Sequence, residues 1–170
     1  MTQLDRIWNG WRAQYVNESG ERDAGPVGSV FTQLLASGLS DEETHIVHRG
    51  AHTFVILNAF PYTSGHLMVL PYREVCDLES LTGEEAGELW QTVTEAVRAV
   101  KQAYRPGGVN VGINLGRAAG GSISEHLHVH VVPRWSGDGN FMTAVAEART
   151  LPEPLSLSAE KLRNSWRQSG

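Results

Sequence analysis

Apolar and polar residues alternate along this chain with two distinct periods. Near the start, Leu4, Ile7, Trp8, Trp11 and Tyr15 recur at three- and four-residue steps, which predicts an amphipathic helix. Residues 17–28 carry Gly, Ser, Pro and charge and read as a loop. "SVFTQLLASG" predicts a short helix stopped by Gly38. "THIVHRG" and "HTFVILNAF" predict two strands around a turn near Gly50, and "HLMVLP" predicts a third, ended by Pro71. Leu89, Val93, Ala96, Val97, Val100 and Tyr104 form the stripe of a long helix, with Thr82 as N-cap and Pro106-Gly107-Gly108 as the stop. Glu84 and Glu85 suit its first turn, Arg98 and Lys101 its last turns. "SLSAEKLRNSW" predicts a short closing helix.

The period then becomes two. In "VNVGINLG", Val109, Val111, Ile113 and Leu115 share one face, and Asn110, Gly112, Asn114 and Gly116 share the other. The loop "RAAGGS" leads into "SEHLHVHVVPRW", where Leu127, Val129 and Val131 alternate with His126, His128 and His130. Alternate residues of a strand share a face and advance about 6.5 Å per pair. Three imidazoles are thus expected to line one surface of a sheet while the aliphatics enter the core. With seven histidines in the chain, such a triplet arises by chance about 1% of the time, so the pattern needs a chemical reason. The elements together predict one α+β domain over residues 1–170, with a mostly antiparallel sheet, one long helix and extra helices at both ends.

Composition narrows the classes. An apolar content of 41% fits a globular chain of 170 residues. No apolar run approaches the length of a membrane span, and the N-terminus lacks the basic-then-apolar order of a signal peptide. Cys76 stands alone, so no disulfide can form within the chain, and a cytoplasmic location is expected. A net charge of −5 argues against nucleic-acid or membrane partners but leaves room for a small anionic ligand held by local donors.

Four readings of the histidines follow: a solvated polar face, a metal site, a pH-sensing contact surface, and a nucleophile for phosphorus chemistry. Imidazoles bind zinc, copper or iron, but zinc wants three or four ligands. Glu125 lies on the opposite face from its neighbours, and His45 and His48, three apart on a strand, face opposite ways. The surroundings favour phosphorus. A neutral imidazole is a good nucleophile once its other nitrogen is held as a donor. Backbone amides at Gly120 and Gly121, the hydroxyl of Ser122 and the amide of Asn114 are donors suited to phosphate oxygens.

"HLHVHVV", from His126 to Val132, fits every position of His-φ-His-φ-His-φ-φ with φ apolar. The chain thereby resembles the histidine-triad (HIT) family of nucleotide hydrolases and transferases. "LNAFPYTSGHLMVLP", "NLG" and "GGS" resemble further family segments in the right order, over about residues 45–140. The resemblance implies a mostly antiparallel sheet with a long helix, and pairing into two-fold homodimers. It implies that His128 attacks an α-phosphorus to give a nucleotidyl-histidine, while His126 and His130 orient it and bind α-phosphate oxygens. It gives Asn58 to the ribose, and Asn114, Gly121 and Ser122 to the phosphates. One branch of the family carries zinc through a Cys-x-x-Cys and extra histidines, which Cys76 alone cannot supply. Hydrolase branches commonly carry Gln where Ser122 stands. With "GDGNF" following, the chain looks closest to the bacterial diadenosine tetraphosphate phosphorylases of the family. Inorganic phosphate would then release AMP from the histidine as ADP.

The expected partners are a nucleotide substrate, phosphate and a second copy of the chain, with higher assembly suggested by Trp8 and Trp11. No tightly bound cofactor is expected, only Mg2+ accompanying the polyphosphate. The alternatives are hydrolysis of dinucleoside polyphosphates or nucleoside phosphoramidates, and a histidine-cluster metal-binding module. Trp135 reads as a packing residue rather than a base platform, and His66 as a hydrogen-bonding residue rather than a catalytic one.

Overall fold

A computed structural model describes residues 28–119, 123–139 and 153–169. The helix expected over Leu4 to Tyr15 lies outside them, as do Gly121 and Ser122. Ser29 caps helix α1 (Val30–Ala36), its hydroxyl accepting the Thr32 N–H. Gly38, at φ +74°, turns the chain away. A single helical turn follows, α2 (Asp41–Thr44), held by a capping box in which Ser40 and Glu43 accept each other's backbone N–H. It carries no apolar residue, so hydrophobic periodicity gave no sign of it.

Strands β1 (Ile46–Arg49), β2 (Thr53–Leu57) and β3 (Leu67–Pro71) come next, then the long helix α3 (Gly83–Tyr104). Strands β4 (Gly108–Ile113) and β5 (Val129–Arg134) and helix α4 (Leu155–Ser169) complete the described fold. The sheet is antiparallel throughout, in the order β1-β2-β3-β5-β4. Of its three interior strands, β2 and β3 are buried at every residue because both faces are covered. Val55, Leu57, Leu67, Val69, Val129 and Val131 face α3 and α4. Phe54, Ile56, Met68 and Leu70 face Phe31 and Leu34 of α1.

Helix α3 buries the expected stripe of Leu89, Val93, Ala96 and Val100. Thr82 and Glu85 form its capping box, and Arg73 pairs with both oxygens of Glu85, holding that carboxyl down at about 2. One oxygen of Glu88 accepts from His52 N–H, Thr53 N–H and the Thr53 hydroxyl, clamping α3 to the β1–β2 turn. That approach requires glycine at position 50, where a Cβ would stand 2.3 Å from the same oxygen. Strand β4 departs from the expected one-sided burial. Val109 and Ile113 pack on the core, but Val111 is 43% exposed and Leu115 41%. Among the described residues β4 is the last strand of the sheet, with an apolar side chain exposed on it.

Candidate active site

The histidine segment keeps its alternation but only half of it is strand. Strand β5 begins at Val129, and the β3–β5 ladder runs Leu67↔Val131, Met68↔His130 and Val69↔Val129. Before that, Leu127 N–H donates to Val75 O at 2.6 Å, so the chain is tied to the segment after β3. Leu127, Val129 and Val131 still enter the α3 side of the core, as the alternation predicts.

The three imidazoles have unequal settings. His126 is 1% exposed. Its Nε2 lies 2.8 Å from Pro71 O and its Nδ1 2.7 Å from the Ser29 hydroxyl. A carbonyl only accepts, so Nε2 carries the proton and Nδ1 accepts from Ser29. Both nitrogens are thus committed to the protein. What His126 offers its neighbour is its main-chain carbonyl. That oxygen accepts Nδ1–H of His128 at 2.8 Å. A neutral His128 therefore carries its lone pair on Nε2, the atom left for chemistry. The Phe31 ring stands perpendicular to His126 at a centroid distance of 5.5 Å and lies 5.9 Å from the ring of His128.

His130 is half-buried, its ring 4.8 Å from that of His128 at 80°. A fourth histidine sets its proton. Tyr62 N–H donates to Nδ1 of His66 at 3.1 Å, so His66 bears its proton on Nε2. That nitrogen lies 2.9 Å from Nδ1 of His130 and donates to it. His130 therefore presents Nε2–H as a donor beside the free Nε2 of His128. Burial, with His130 and His128 adding, pushes His66 down to about 3. Burial and His128 push His130 down to about 4. His126 is also lowered, chiefly by burial. Neutral rings are what this hydrogen-bonded chain requires.

Glycine at 65 makes the His66 placement feasible. It sits at φ +81°, and a Cβ there would stand 2.5 Å from the Tyr104 ring. Asn58, at the end of β2, accepts Phe60 N–H through Oδ1 at 2.8 Å, an Asx turn. Its amide nitrogen stands 3.5 Å from the His66 ring. A hollow of about 500 Å³ is lined by His130, with Tyr62, Asn110, Gly112 and Asn114 among its other walls. Arg134 spans its rim, paired with Asp138 and donating to Asn110 Oδ1. That ion pair holds the Asp138 carboxyl well below the usual range. Trp135 is half-buried, edge-on to Tyr104, and Glu125 is exposed.

The structure thus joins Asn58, His126, His128 and His130 in one connected cluster and puts Asn114 across the hollow. Sequence reasoning passed over Ser29, Phe31, Tyr62 and Glu74. His66 does act as a hydrogen-bonding residue. The glycine before it, at the mouth of a strand, was the available signal.

A family model described as HIT domain matches residues 40–137. The chain belongs to the HIT family. A Mycobacterium tuberculosis protein named AP-4-A phosphorylase is 45% identical over 168 residues, covering 96% of this chain and 85% of that protein. The Saccharomyces cerevisiae bis(5'-adenosyl)-triphosphatase is 32% identical over 91 residues, 53% of this chain and 44% of that protein. Among solved HIT structures, a zinc-bound histidine triad protein from Mycobacterium smegmatis superposes with TM-score 0.69 at 27% identity, covering 85% of this chain and 96% of that one. Among the described residues here, no group of three or more His, Cys, Asp or Glu is arranged to hold a metal ion. No described helix is long and apolar enough to cross a membrane.

Proposed function

We propose that this chain, an enzyme of the HIT family, cleaves diadenosine tetraphosphate with inorganic phosphate to give ATP and ADP. The observation that carries the reading is the hydrogen bond from His128 Nδ1–H to the His126 carbonyl, which leaves Nε2 as a free nucleophile beside the Nε2–H of His130.

In the first step, the Nε2 lone pair attacks an α-phosphorus and the bond to the bridging oxygen breaks. ATP leaves with that electron pair. His128 then carries AMP on Nε2 and its proton on Nδ1, so the ring is formally cationic and the His126 carbonyl stabilises it. In the second step, a phosphate oxygen attacks the same phosphorus, the N–P bond breaks, ADP leaves and neutral His128 returns. Positioning and aimed donors supply the catalysis. Asn58 takes the ribose, and Asn114, with Gly121 and Ser122, takes the phosphate oxygens. Mg2+ arrives with the polyphosphate and offsets its charge.

The extensive likeness to AP-4-A phosphorylase supports phosphate as the acceptor. The open β4 edge, with Val111 exposed on it, supports pairing with a second copy. A cytoplasmic site of action goes with the exposed free thiol of Cys76. Product analysis tests the reading. Diadenosine tetraphosphate with phosphate should yield ATP and ADP; ATP and AMP in equal amounts, whatever the phosphate concentration, would make the chain a hydrolase instead.

A further inference from the structure

Four polar side chains meet behind the triad, away from the hollow. Glu74 Oε2 accepts Ser29 N–H at 2.6 Å and the Thr32 hydroxyl at 2.7 Å. The hydroxyl of Ser29, with only one proton to give, is 2.7 Å from His126 Nδ1. Since the Pro71 carbonyl takes the proton on His126 Nε2, that one Ser29 proton must point at Nδ1. Ser29 is 2% exposed and His126 1%, so water does not reach this bond. The ring of His126 is therefore pinned at both nitrogens, and its own carbonyl pins His128. The N-cap of α1, Glu74 after β3, and the nucleophile form one continuous chain of hydrogen bonds.

We infer that Ser29 and Glu74 are positioning residues for the nucleophile: they fix the tautomer and tilt of His126, and thereby the carbonyl that orients His128. Glu74 fixes Ser29 by accepting its N–H; the Ser29 hydroxyl also lies near that carboxylate and 3.2 Å from the Thr32 hydroxyl, but the unprotonated His126 Nδ1, at 2.7 Å, is the closest acceptor for its proton. Thr32 directs its own proton to the same carboxylate and so does not compete for His126. Helix α1 is thus part of the catalytic framework as well as a lid on the apolar face.

The activity arm of the test rests on the proposed function; the spectroscopic arm does not. Nitrogen-15 imidazole spectra of the ligand-free protein should show His126 as a single Nε2–H tautomer and His128 as a single Nδ1–H tautomer. In Ser29→Ala, His126 should become a tautomer mixture and the His128 signals should shift and broaden. Turnover should fall about tenfold in kcat, as expected for one buried hydrogen bond, with KM within about twofold, since no substrate contact is lost. Ser29→Thr, which keeps the hydroxyl, should restore the His128 spectrum and most of kcat. Glu74→Ala changes an exposed side chain that does not threaten folding, and it should move both readouts the same way by less. If His128 keeps its wild-type spectrum in Ser29→Ala and Glu74→Ala, the inference is overturned. It is equally overturned if Ser29→Thr behaves like Ser29→Ala while folding normally. A protein with no activity on dinucleoside polyphosphates but with these spectral changes would remove the proposed function and leave the positioning chain standing.

Discussion

His66 and His130, sixty-four positions apart in sequence, share one proton between Nε2 and Nδ1 at 2.9 Å. Because Tyr62 N–H occupies the other nitrogen of His66, the direction of donation is fixed. Replacing His66 by Phe keeps the ring volume and deletes the donor. His130 would then lose the partner that sets its tautomer. The expected outcome is a fall in kcat of about tenfold or more, read in steady-state kinetics. A His66→Phe protein with wild-type kcat would show that the His130 proton is set elsewhere.

Acid should weaken the fold before the carboxylates titrate. An unfolded histidine titrates near 6.5, whereas His66 is held at about 3 and His130 at about 4. Between those values the unfolded chain binds protons that the folded one does not. The stability these rings contribute is fully present above about pH 6.5 and is lost as pH falls toward the folded values. The loss is at most about 1.4 kcal/mol per pH unit for His66, and less for the half-buried His130, which solvent screens. Urea midpoints measured at about pH 7 and about pH 5 should differ in that direction, and less so in His66→Phe.

The covalent step has its own signature. Brief mixing with diadenosine tetraphosphate in the absence of phosphate, followed by mass spectrometry of the intact chain, should reveal an acid-labile AMP adduct. His128→Ala should lack both the adduct and turnover, because no other described imidazole has a free Nε2 lone pair facing the site. Persistence of the adduct in His128→Ala would reassign the nucleophile.

Gly65→Ala should destabilise the protein and displace His66 together. The residue would carry a side chain at φ +81°, and its Cβ would stand 2.5 Å from the Tyr104 ring. The cost should be about 2 kcal/mol or more, combining the left-handed backbone with overpacking. A thermal melt and kcat measured on the same sample would show both effects.

Val111 tests the open edge. Val111→Asp places charge on an exposed position of β4 and leaves the described core untouched. Sedimentation should show a dimer for the natural chain and a monomer for the variant, at unchanged helical content. A variant that stays dimeric would move the contact to another surface.

Much of this architecture was legible in the order of residues, and the reasons are local. The α3 stripe, its Thr82 cap and the strand alternation are read within one element at a time. The alternation of "HLHVHVV" was legible in the same way, and it puts Leu127, Val129 and Val131 into the core. What was not legible depends on contacts between distant segments. Ser29 caps α1, and nothing near it in the sequence signals that its hydroxyl reaches His126, 97 positions later. The inward ring of His126 was hidden for the same reason: alternation gives the parity of a side chain but not the early start of its hydrogen bonds to Pro71. The α2 turn was hidden because hydrophilic capping alone defines it.

The oxygen that holds His128 belongs to the peptide backbone. Every amino acid carries that atom, so no codon change at position 126 can delete it; side-chain replacement there can only tilt it. Inheritance is therefore free to remodel the buttresses around this enzyme's reactive nitrogen, while the acceptor itself is guaranteed by the polymer.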